Sequence, residues 1–268
     1  MKIKKAIEKA KASRQKIIQS TSSGASEMTN LSKSPLYSES RCVVPDKEIF
    51  EKNLCTCMYP DSPYLDAFKV LRTQIQKATL DRDWKTLMIT SVLTGEGKTF
   101  TAINLSLTFA RAFDHTVLLV DCDLHRQNVH KYMGIESRQG LVDYLIDDVP
   151  LKDLIMWPGI EKMTLISGGR IVQEATELLT SSKMKSLVDE LKSRYADRYV
   201  IFDVPPMLTG ADAIAFASVV DCIIMVVEAG RTRMEDIKKA LDLIPKEKFL
   251  GFVLNKDDTK ADSYSSYY

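Results

Sequence analysis

Alternation between short apolar segments and amphipathic helical patterns is the feature that most constrains the fold of this chain. Helical patterns cover residues 98–113, 181–195 and 232–244, and they separate most of the apolar segments. Strands without polar alternation are typical of a parallel sheet that helices cover on both faces. The sequence therefore predicts a doubly wound α/β domain over about 61–255, with a mostly parallel sheet. Its strands are predicted at 86–91, 116–121, 163–167, 199–203, 222–227 and 250–255.

Two of the predicted helices have recognisable start signals. Ser62 and Pro63 combine a capping side chain with a ring that presets the first helical φ, and they predict a helix that runs to about Thr79. Thr232 and Glu235 have the spacing of a capping box, which predicts the start of the last helix.

Composition limits the function classes. The 268 residues are 45% hydrophobic and 27% charged, which allows one large soluble domain or one domain with a long appendage. The net charge of +1 gives no field that would select nucleic acid, so no nucleic-acid partner is expected. Cys55 and Cys57 form a lone C-x-C without the spacing of a zinc site, and the cysteines are expected to be reduced thiols.

The first 60 residues differ in character from the rest. Residues 1–20 carry seven Lys and Arg against one Glu, with isoleucines near one helical face. This basic amphipathic helix either docks on an anionic membrane surface or a partner, or is a solvated helix. Residues 21–60 are Ser-rich and predict a mostly disordered linker, with a short helix near 46–53. Together they form a largely disordered N-terminal extension.

No membrane-spanning segment is predicted. The longest apolar run, CIIMVV at 222–227, is far shorter than the roughly 20 residues that a spanning helix needs. The basic N-terminus is not followed by the apolar core of a signal peptide. We therefore expect a cytoplasmic protein that does not cross a membrane by itself.

The strand at 86–91 leads into a phosphate-binding loop. The motif G-x-x-x-x-G-K-[ST] is met except at its first glycine, which is Val92 here, and Gly95 is expected to supply the flexibility instead. The backbone N–H groups at the start of the following helix would face a phosphate, since the helix dipole favours an anion there. Lys98 would neutralise phosphate charge, and the Thr99 hydroxyl suits Mg²⁺. The predicted nucleotide-binding residues of this loop are Thr94, Gly95, Glu96, Gly97, Lys98, Thr99 and Phe100.

Three aspartates follow predicted strands. VLLVDCD ends the second strand with Asp121 and Asp123, and VIFDVPP ends the fourth with Asp203. A carboxylate at the end of a buried strand is costly unless a cation or a donor meets it. Because these strand ends lie near one phosphate loop, the sequence predicts a magnesium site there.

These motifs together resemble the bacterial tyrosine kinases (BY-kinases) of the Wzc/CapB type, within the MinD/ParA-like P-loop ATPases. The resemblance covers about 60–268 and rests on the loop G-x-G-K-T, the strand ends D-x-D and D-x-P-P, and three further stretches. These stretches are SPYLDAFKVLRTQIQ (62–76), ATELL (175–179) and the C-terminal DSYSSYY.

The resemblance implies an ATP-dependent protein-tyrosine kinase with Mg²⁺ as its metal. Lys98 and Thr99 would hold the phosphates and the metal, and Asp123 and Asp203 would organise Mg²⁺, partly through water. Asp121 would accept the proton of the attacking tyrosine hydroxyl, since a free tyrosine has a pKa near 10. Asn255 fits the position that contacts adenine.

The tail at 256–268 would be the tethered substrate. Thirteen residues follow Asn255, which reach about 40 Å when fully extended. A tethered acceptor is locally concentrated even when it binds weakly. The expected phosphoacceptors are Tyr264, Tyr267 and Tyr268.

The resemblance also implies partners. They are a separate membrane-bound activator of polysaccharide chain-length control, a tyrosine phosphatase, and further copies of the chain in a ring that phosphorylates tails in trans. Asp66, Lys69 and Arg72 lie at the positions that imply ring contacts. The kinase would then be peripheral at the inner face of the plasma membrane and would regulate capsule or exopolysaccharide synthesis and export.

Departures from the family pattern keep alternatives open. His125 occupies the usual arginine position after D-x-D, with Arg126 following it, and Lys69 replaces an arginine. One alternative is a MinD/ParA-like ATPase switch, although Leu93 stands where such proteins commonly have a lysine. Another is a nucleotide-binding regulatory subunit without kinase activity.

Overall fold

A mostly parallel sheet forms the centre of the structure, a computed structural model that describes residues 40–257. Within this range eight strands follow the order β1-β4-β5-β3-β6-β2-β7-β8, and only the β4–β5 pair is antiparallel. The strands are β1 (Arg41–Cys42), β2 (Thr86–Ser91), β3 (Thr116–Asp121), β4 (Met156–Trp157), β5 (Met163–Ile166), β6 (Arg198–Asp203), β7 (Cys222–Glu228) and β8 (Phe249–Asn255). The doubly wound fold and all six predicted strands are confirmed.

Helices pack on both faces of the sheet. They are α1 (Lys47–Lys52), α2 (Leu65–Thr79), α3 (Lys98–Ala110), α4 (Val129–Tyr132), α5 (Leu141–Asp147), α6 (Leu151–Leu154), α7 (Ala175–Thr180), α8 (Ser182–Ser193), α9 (Asp212–Phe216) and α10 (Met234–Asp242). Short 3₁₀ helices cover Leu80–Arg82 and Lys246–Lys248. The three predicted helical patterns correspond to α3, α8 and α10, each of which ends earlier than predicted.

Two predicted helix starts are wrong because the capping side chains have other partners. α2 begins at Leu65, and the Ser62 hydroxyl instead hydrogen bonds with Thr56 at 2.8 Å. α10 begins at Met234 without a side-chain cap. The Thr232 oxygen, which would accept a hydrogen bond in a capping box, accepts one from Glu228 N at 2.8 Å instead, and its hydroxyl donates to the carboxylate of Glu96 in the phosphate loop. The Ser62 oxygen also accepts a hydrogen bond from Tyr64 N at 3.3 Å, before the first residue of α2, so in both places the predicted cap oxygen is used outside its helix.

Side chains of the central strands alternate between two apolar cores. In β3, Leu118 and Val120 pack with Phe202 on one side of the sheet, whereas Val117 and Leu119 pack on the other side. All five are at most 1% exposed. Burial of such side chains contributes about 1.5–3 kcal/mol each, so the strands that carry the site are among the most firmly held elements.

The strap, residues 40–60, corrects the expectation that residues 21–60 form a mostly disordered linker. Its first residues pair with β4, and α1 begins at the predicted place, where the Asp46 carboxylate accepts a hydrogen bond from Ile49 N at 3.0 Å. Cys55 and Cys57 are fully buried, and this burial raises the pKa of their thiols to about 12 and about 11. Ordering therefore begins well before residue 61, because the strap fills apolar surface beside α3.

The remaining expectations about the chain ends fall outside the described residues. The basic helix at 1–20, the part of the linker at 21–39 and all three tail tyrosines lie there. Between Ser40 and Asp257, no helix is long and apolar enough to span a bilayer.

Candidate active site

Three neighbouring strands, β3, β6 and β2, bring the predicted site residues together at their carboxyl ends. Register pairs Asp121 with Asp203 across β3 and β6, and it pairs Asp203 with Ile89 of β2. The phosphate loop, residues 92–99, follows β2 directly and leads into α3. Loop, helix start and both aspartates therefore meet at one edge of the sheet, as expected for a parallel α/β fold.

Lys98 lies at the centre of this group. Its Nζ is 2.9 Å from Oδ2 of Asp123 and 3.2 Å from Oδ1 of Asp203, and its side chain is only 10% exposed. Burial alone lowers the pKa of Lys98, but the carboxylates of Asp203 and Asp123 raise it overall, so the ammonium remains charged. The Thr99 hydroxyl donates to Oδ2 of Asp203 at 2.7 Å. The predicted phosphate, metal and strand-end residues thus form one contact network.

Asp121 is fully buried, as is Asp203. Its oxygens accept hydrogen bonds from the backbone N–H groups of Asp123 at 3.1 Å and Val129 at 3.0 Å. Burial raises the pKa of Asp121, with a further contribution from the carboxylate of Asp203, whose own pKa burial also raises. Asp121 therefore fixes the loop that carries Asp123 and holds its proton more tightly than an ordinary aspartate.

Backbone conformation in the phosphate loop depends on two glycines. Gly95 and Gly97 have φ of 90° and 98°, in the left-handed region that favours glycine. Among residues 40–257, no atom beyond the adjoining residues lies within 4 Å of where a Cβ on Gly95 would stand, so a ligand has room to approach its backbone closely. Val92, at the position of the missing first glycine, is fully buried in the core. The loop therefore turns at Gly95 and Gly97, as predicted, and Val92 packs as a core residue.

The other predicted nucleotide-binding residues are less uniform in their contacts. Thr94 is exposed and lines a neighbouring cavity. The Glu96 carboxylate accepts a hydrogen bond from Leu93 N at 2.8 Å, which closes the loop on itself. Phe100 packs edge-on against Tyr64 with ring centroids 5.5 Å apart. The side chains of Glu96 and Phe100 therefore support the loop, and any nucleotide contact from them is through the main chain.

Asn255 lies at the end of β8, beside the loop. Its Nδ2 donates to the carbonyl oxygen of Glu96 at 2.8 Å, across 159 positions of sequence. The predicted adenine contact from Asn255 stays a prediction, and the structure adds a direct role for this side chain in holding the loop.

A cavity of about 310 Å³ opens next to the phosphate loop. Asp123 lies in its wall, whereas Asp121 does not. Nε2 of His125 lies 3.0 Å from Oδ2 of Asp212, and the Thr176 hydroxyl donates to the other oxygen of Asp212. The lining residues are Thr94, Asp123, His125, Arg126, Thr176, Pro205, Pro206, Thr209, Gly210, Ala211 and Asp212. Sequence reasoning singled out the D-x-P-P and ATELL stretches, but it missed Asp212, which no local pattern marks.

The residues with predicted ring contacts lie on α2, away from the cavity. Lys69 and Asp66 form an exposed ion pair at 2.8 Å, and Arg72 donates to the carbonyl oxygen of Thr108 at 2.7 Å. One nitrogen of the Arg72 guanidinium is therefore engaged within the chain, whereas the ion pair of Lys69 and Asp66 faces solvent.

The metal-binding capacity of the site rests on few oxygens. Within residues 40–257, no three carboxylate, imidazole or thiolate side chains converge as a metal site. Mg²⁺ is commonly held by one or two carboxylates together with phosphate oxygens and water. The protein ligands of such a site would be Thr99, Asp123 and Asp203. Their hydroxyl and carboxylate oxygens lie close together around Lys98.

Comparison with known proteins gives consistent results. Residues 84–249 match the AAA domain family. The chain is similar to the tyrosine-protein kinase YwqD of Bacillus subtilis (strain 168), with 33% identity over 220 residues, 81% of this chain and 92% of the relative.

Solved structures show the same architecture. The chimerical protein CapA2B2 superposes with a TM-score of 0.71 and 28% identity, covering 84% of this chain and 95% of that one. The septum site-determining protein MinD from Pyrococcus horikoshii, complexed with Mg-ADP, superposes with a TM-score of 0.54 and 24% identity over 66% and 72% of the two chains. The MinD likeness is one of fold alone.

Proposed function

Because the chain belongs to the bacterial tyrosine kinases, within the AAA domain family, we propose that it is an ATP-dependent autokinase that phosphorylates its own C-terminal tyrosines. The observation that carries the proposal is the position of Lys98 between Asp123 and Asp203, beside the phosphate loop. A buried lysine held by two carboxylates is placed to exchange one of them for phosphate oxygens. The proposed function extends to regulation of capsule or exopolysaccharide synthesis and export.

The main chain of the phosphate loop would hold the phosphates of ATP. The open space around Gly95 and the N-terminus of α3 suit close approach of an anion. Thr99, Asp123 and Asp203 would hold Mg²⁺. Bound Mg²⁺ would supply positive charge against the oxygens of the transferred phosphoryl group. Lys98 would stay charged and contact the phosphates.

Two aspartates would share the handling of the acceptor hydroxyl. We predicted Asp121 as the proton acceptor, and its raised pKa favours proton uptake. Its two bonds from backbone N–H groups favour a positioning role, however, whereas Asp123 lines the cavity. We therefore infer that the incoming tyrosine hydroxyl lies next to Asp123. Asp121 would position Asp123 by fixing the backbone between the two aspartates.

The tail would deliver Tyr264, Tyr267 and Tyr268 to such a site. β8 ends at Asn255, in contact with the phosphate loop, so the tail starts at the edge that carries the chemistry. Its extended reach of about 40 Å is compatible with the site of a neighbouring copy in a ring. A membrane-bound activator would bring the kinase to the inner face of the membrane, and a tyrosine phosphatase would reverse the modification.

The test is mass spectrometry of the tail after incubation of the full chain with ATP and Mg²⁺, with and without the membrane activator. We expect phosphate on Tyr264, Tyr267 or Tyr268, and none on the Lys98→Ala variant. Wild-type protein that remains unmodified in both conditions would contradict the proposal.

A MinD/ParA-like ATPase switch is the second candidate, because it would need the same phosphate loop with Lys98 and Thr99. Such a switch hydrolyses ATP without using the tail. Phosphate release by a variant with all three tail tyrosines changed to Phe, equal to that of the wild type and without any phosphotyrosine in either, would support it.

A further inference from the structure

The root of the tail, residues 255–257, contacts the phosphate loop at two consecutive carbonyl groups. Asn255 Nδ2 donates to Glu96 O at 2.8 Å, and Lys256 Nζ donates to Gly95 O at 2.7 Å. Two adjacent residues from the end of β8 therefore hold two adjacent peptide units of the loop, although 159 and 161 positions separate the partners.

These contacts fix the direction of two N–H groups. In a planar trans peptide the carbonyl oxygen and the following N–H point in opposite directions. The bond from Lys256 to Gly95 O therefore turns Glu96 N–H away from β8, and the bond from Asn255 to Glu96 O does the same for Gly97 N–H. Within residues 40–257 neither N–H has a protein acceptor, so both are available to an anion.

Lys256 has a second side-chain partner and an unusual backbone conformation. Its Nζ also lies 3.1 Å from Oε2 of Glu228, at the end of β7. The hydrogen bond from Lys256 keeps the pKa of Glu228 below its usual value. The backbone of Lys256 has φ of 56°, a region that residues other than glycine rarely adopt. Its side chain thus reaches back to the loop from the place where the tail leaves the sheet.

We propose that Lys256 is a positioning residue that couples the root of the tyrosine tail to nucleotide affinity. With Lys256 in place, Glu96 N–H faces the phosphates. A pull on the tail that removes Lys256 from Gly95 O leaves this peptide unit free to rotate, which lowers the fraction of binding-competent loops. By linkage, a bound nucleotide stabilises the same position of the tail root. The inference rests on the proposed nucleotide site.

The test measures the affinity of the full chain for Mg-ADP by titration calorimetry. Lys256→Gln keeps most of the side chain but loses the charged donor, and we expect its Kd to rise about threefold to tenfold, in inverse proportion to the competent fraction. Lys256→Arg keeps the charge and the donors and should stay within about twofold of the wild type. Glu228→Gln, which loosens Lys256 from the other side, should raise the Kd by a smaller factor in the same direction.

The chain offers a matched control. Lys248, at the opposite end of β8, also donates to two backbone carbonyls, Ser218 O at 2.7 Å and Val220 O at 2.8 Å. Lys248→Gln should leave the Kd for Mg-ADP unchanged. Equal affinity for Mg-ADP in the Lys256→Gln variant and the wild type would overturn the inference. An equal loss of affinity in Lys256→Gln and Lys248→Gln would overturn it as well. A wild-type chain that binds no Mg-ADP would instead overturn the proposed function.

A second readout follows the tail rather than the nucleotide. Mg-ADP should slow hydrogen exchange at the backbone amides of residues 253–257 in the wild type, because the two sites share one coupling free energy. In Lys256→Gln this protection should be smaller even at saturating Mg-ADP, with the contact from Asn255 to Glu96 O retained. Protection in Lys256→Gln that equals the wild-type protection would contradict the coupling through Lys256.

Discussion

Lys98 lies 3.2 Å from Asp203, the residue at the end of β6, and Thr99 donates to the same carboxylate at 2.7 Å. One strand-end aspartate thus contacts both loop residues that were expected to serve phosphate and metal. Its two oxygens are divided between them, Oδ1 to the ammonium and Oδ2 to the hydroxyl. The position of the threonine hydroxyl and one of the two ion pairs of the loop lysine therefore depend on a single side chain, and Asp123 supplies the other ion pair.

Removal of the Asp203 charge should weaken the metal dependence of nucleotide binding. The wild type is expected to bind ADP more tightly with Mg²⁺ than with EDTA, because Thr99 and Asp203 present adjacent hard oxygens. For Asp203→Asn we expect the ratio of the two Kd values to fall toward one. Asp212→Asn, in the cavity wall away from Thr99, serves as the control and should keep the wild-type ratio. An unchanged ratio in Asp203→Asn would exclude this aspartate from the metal site.

An alanine at Gly97 should damage the loop in two separable ways. A Cβ there would collide with the Asn255 amide, and φ of 98° is itself unfavourable for alanine by about 1–3 kcal/mol. Gly95→Ala has the same backbone problem with φ of 90° but open space around its Cβ. We therefore expect Gly97→Ala to lower the free energy of unfolding more than Gly95→Ala does, as measured by urea denaturation.

The collision at Gly97 can be isolated by a double variant. Gly97→Ala combined with Asn255→Ala should recover part of the lost stability, because the opposing amide is removed. Nucleotide binding should not recover, since the φ strain and the loss of the Asn255 hydrogen bond both remain. A double variant that is no more stable than Gly97→Ala would show that the strain of φ alone decides the effect.

Loss of the Asn104 amide should release the strap from α3. This fully buried side chain donates to Leu54 O at 3.0 Å and accepts from Cys57 N at 3.1 Å. Asn104→Ala leaves both backbone groups without a partner, so we expect a loss of roughly 2–4 kcal/mol in the free energy of unfolding. The buried thiols of Cys55 and Cys57 should then react faster with a thiol reagent. Asn104→Leu, with similar volume, tests whether packing alone accounts for the loss.

Asp221 should give the fold a component of stability that acid removes. Its carboxylate accepts hydrogen bonds from Lys85 N at 2.9 Å, Thr86 N at 3.0 Å and Lys192 Nζ at 2.6 Å. Burial alone would raise the pKa of Asp221, but these bonds lower it overall. Since the folded pKa lies below the unfolded value near 3.9, the contribution is present above that pH and is lost as the pH falls through the folded pKa.

The measurement compares Asp221→Asn with the wild type by urea denaturation at several pH values. At pH 7 the variant should be less stable by about 1–3 kcal/mol, and the difference should shrink below about pH 4. Asp81→Asn, an exposed position, should follow the wild type throughout. A difference that stays constant down to pH 3 would rule out the ionised carboxylate as its source.

Much of the fold was predictable because apolar segments that form buried strands recur along the sequence. Each central strand is a continuous apolar run, and the register that pairs Asp121 with Asp203 follows once these strands lie side by side. β1 and β4 were missed because two residues each cannot produce a pattern. The strap was missed because its order comes from contacts with α3, not from its own polar composition.

The site was predictable where one segment supplies both position and chemistry, as at Lys98 and Thr99. It was not predictable where distant segments meet. Nothing local marks Asp212 as the partner of His125, or Thr232 as the partner of Glu96. The capping-box spacing at Thr232 was misleading because the side-chain oxygen accepts a hydrogen bond from Glu228 N at 2.8 Å, and the hydroxyl donates to the loop carboxylate of Glu96.

The strand order has a consequence for how such a chain is used. β1 and β8 form opposite borders of the sheet, about 34 Å apart for seven spacings of roughly 4.8 Å. Arg41 at the start of β1 and Asn255 at the end of β8 therefore lie at opposite borders of the described sheet. Contacts made by β1 and contacts made at the end of β8 therefore do not compete for the same surface of the described chain.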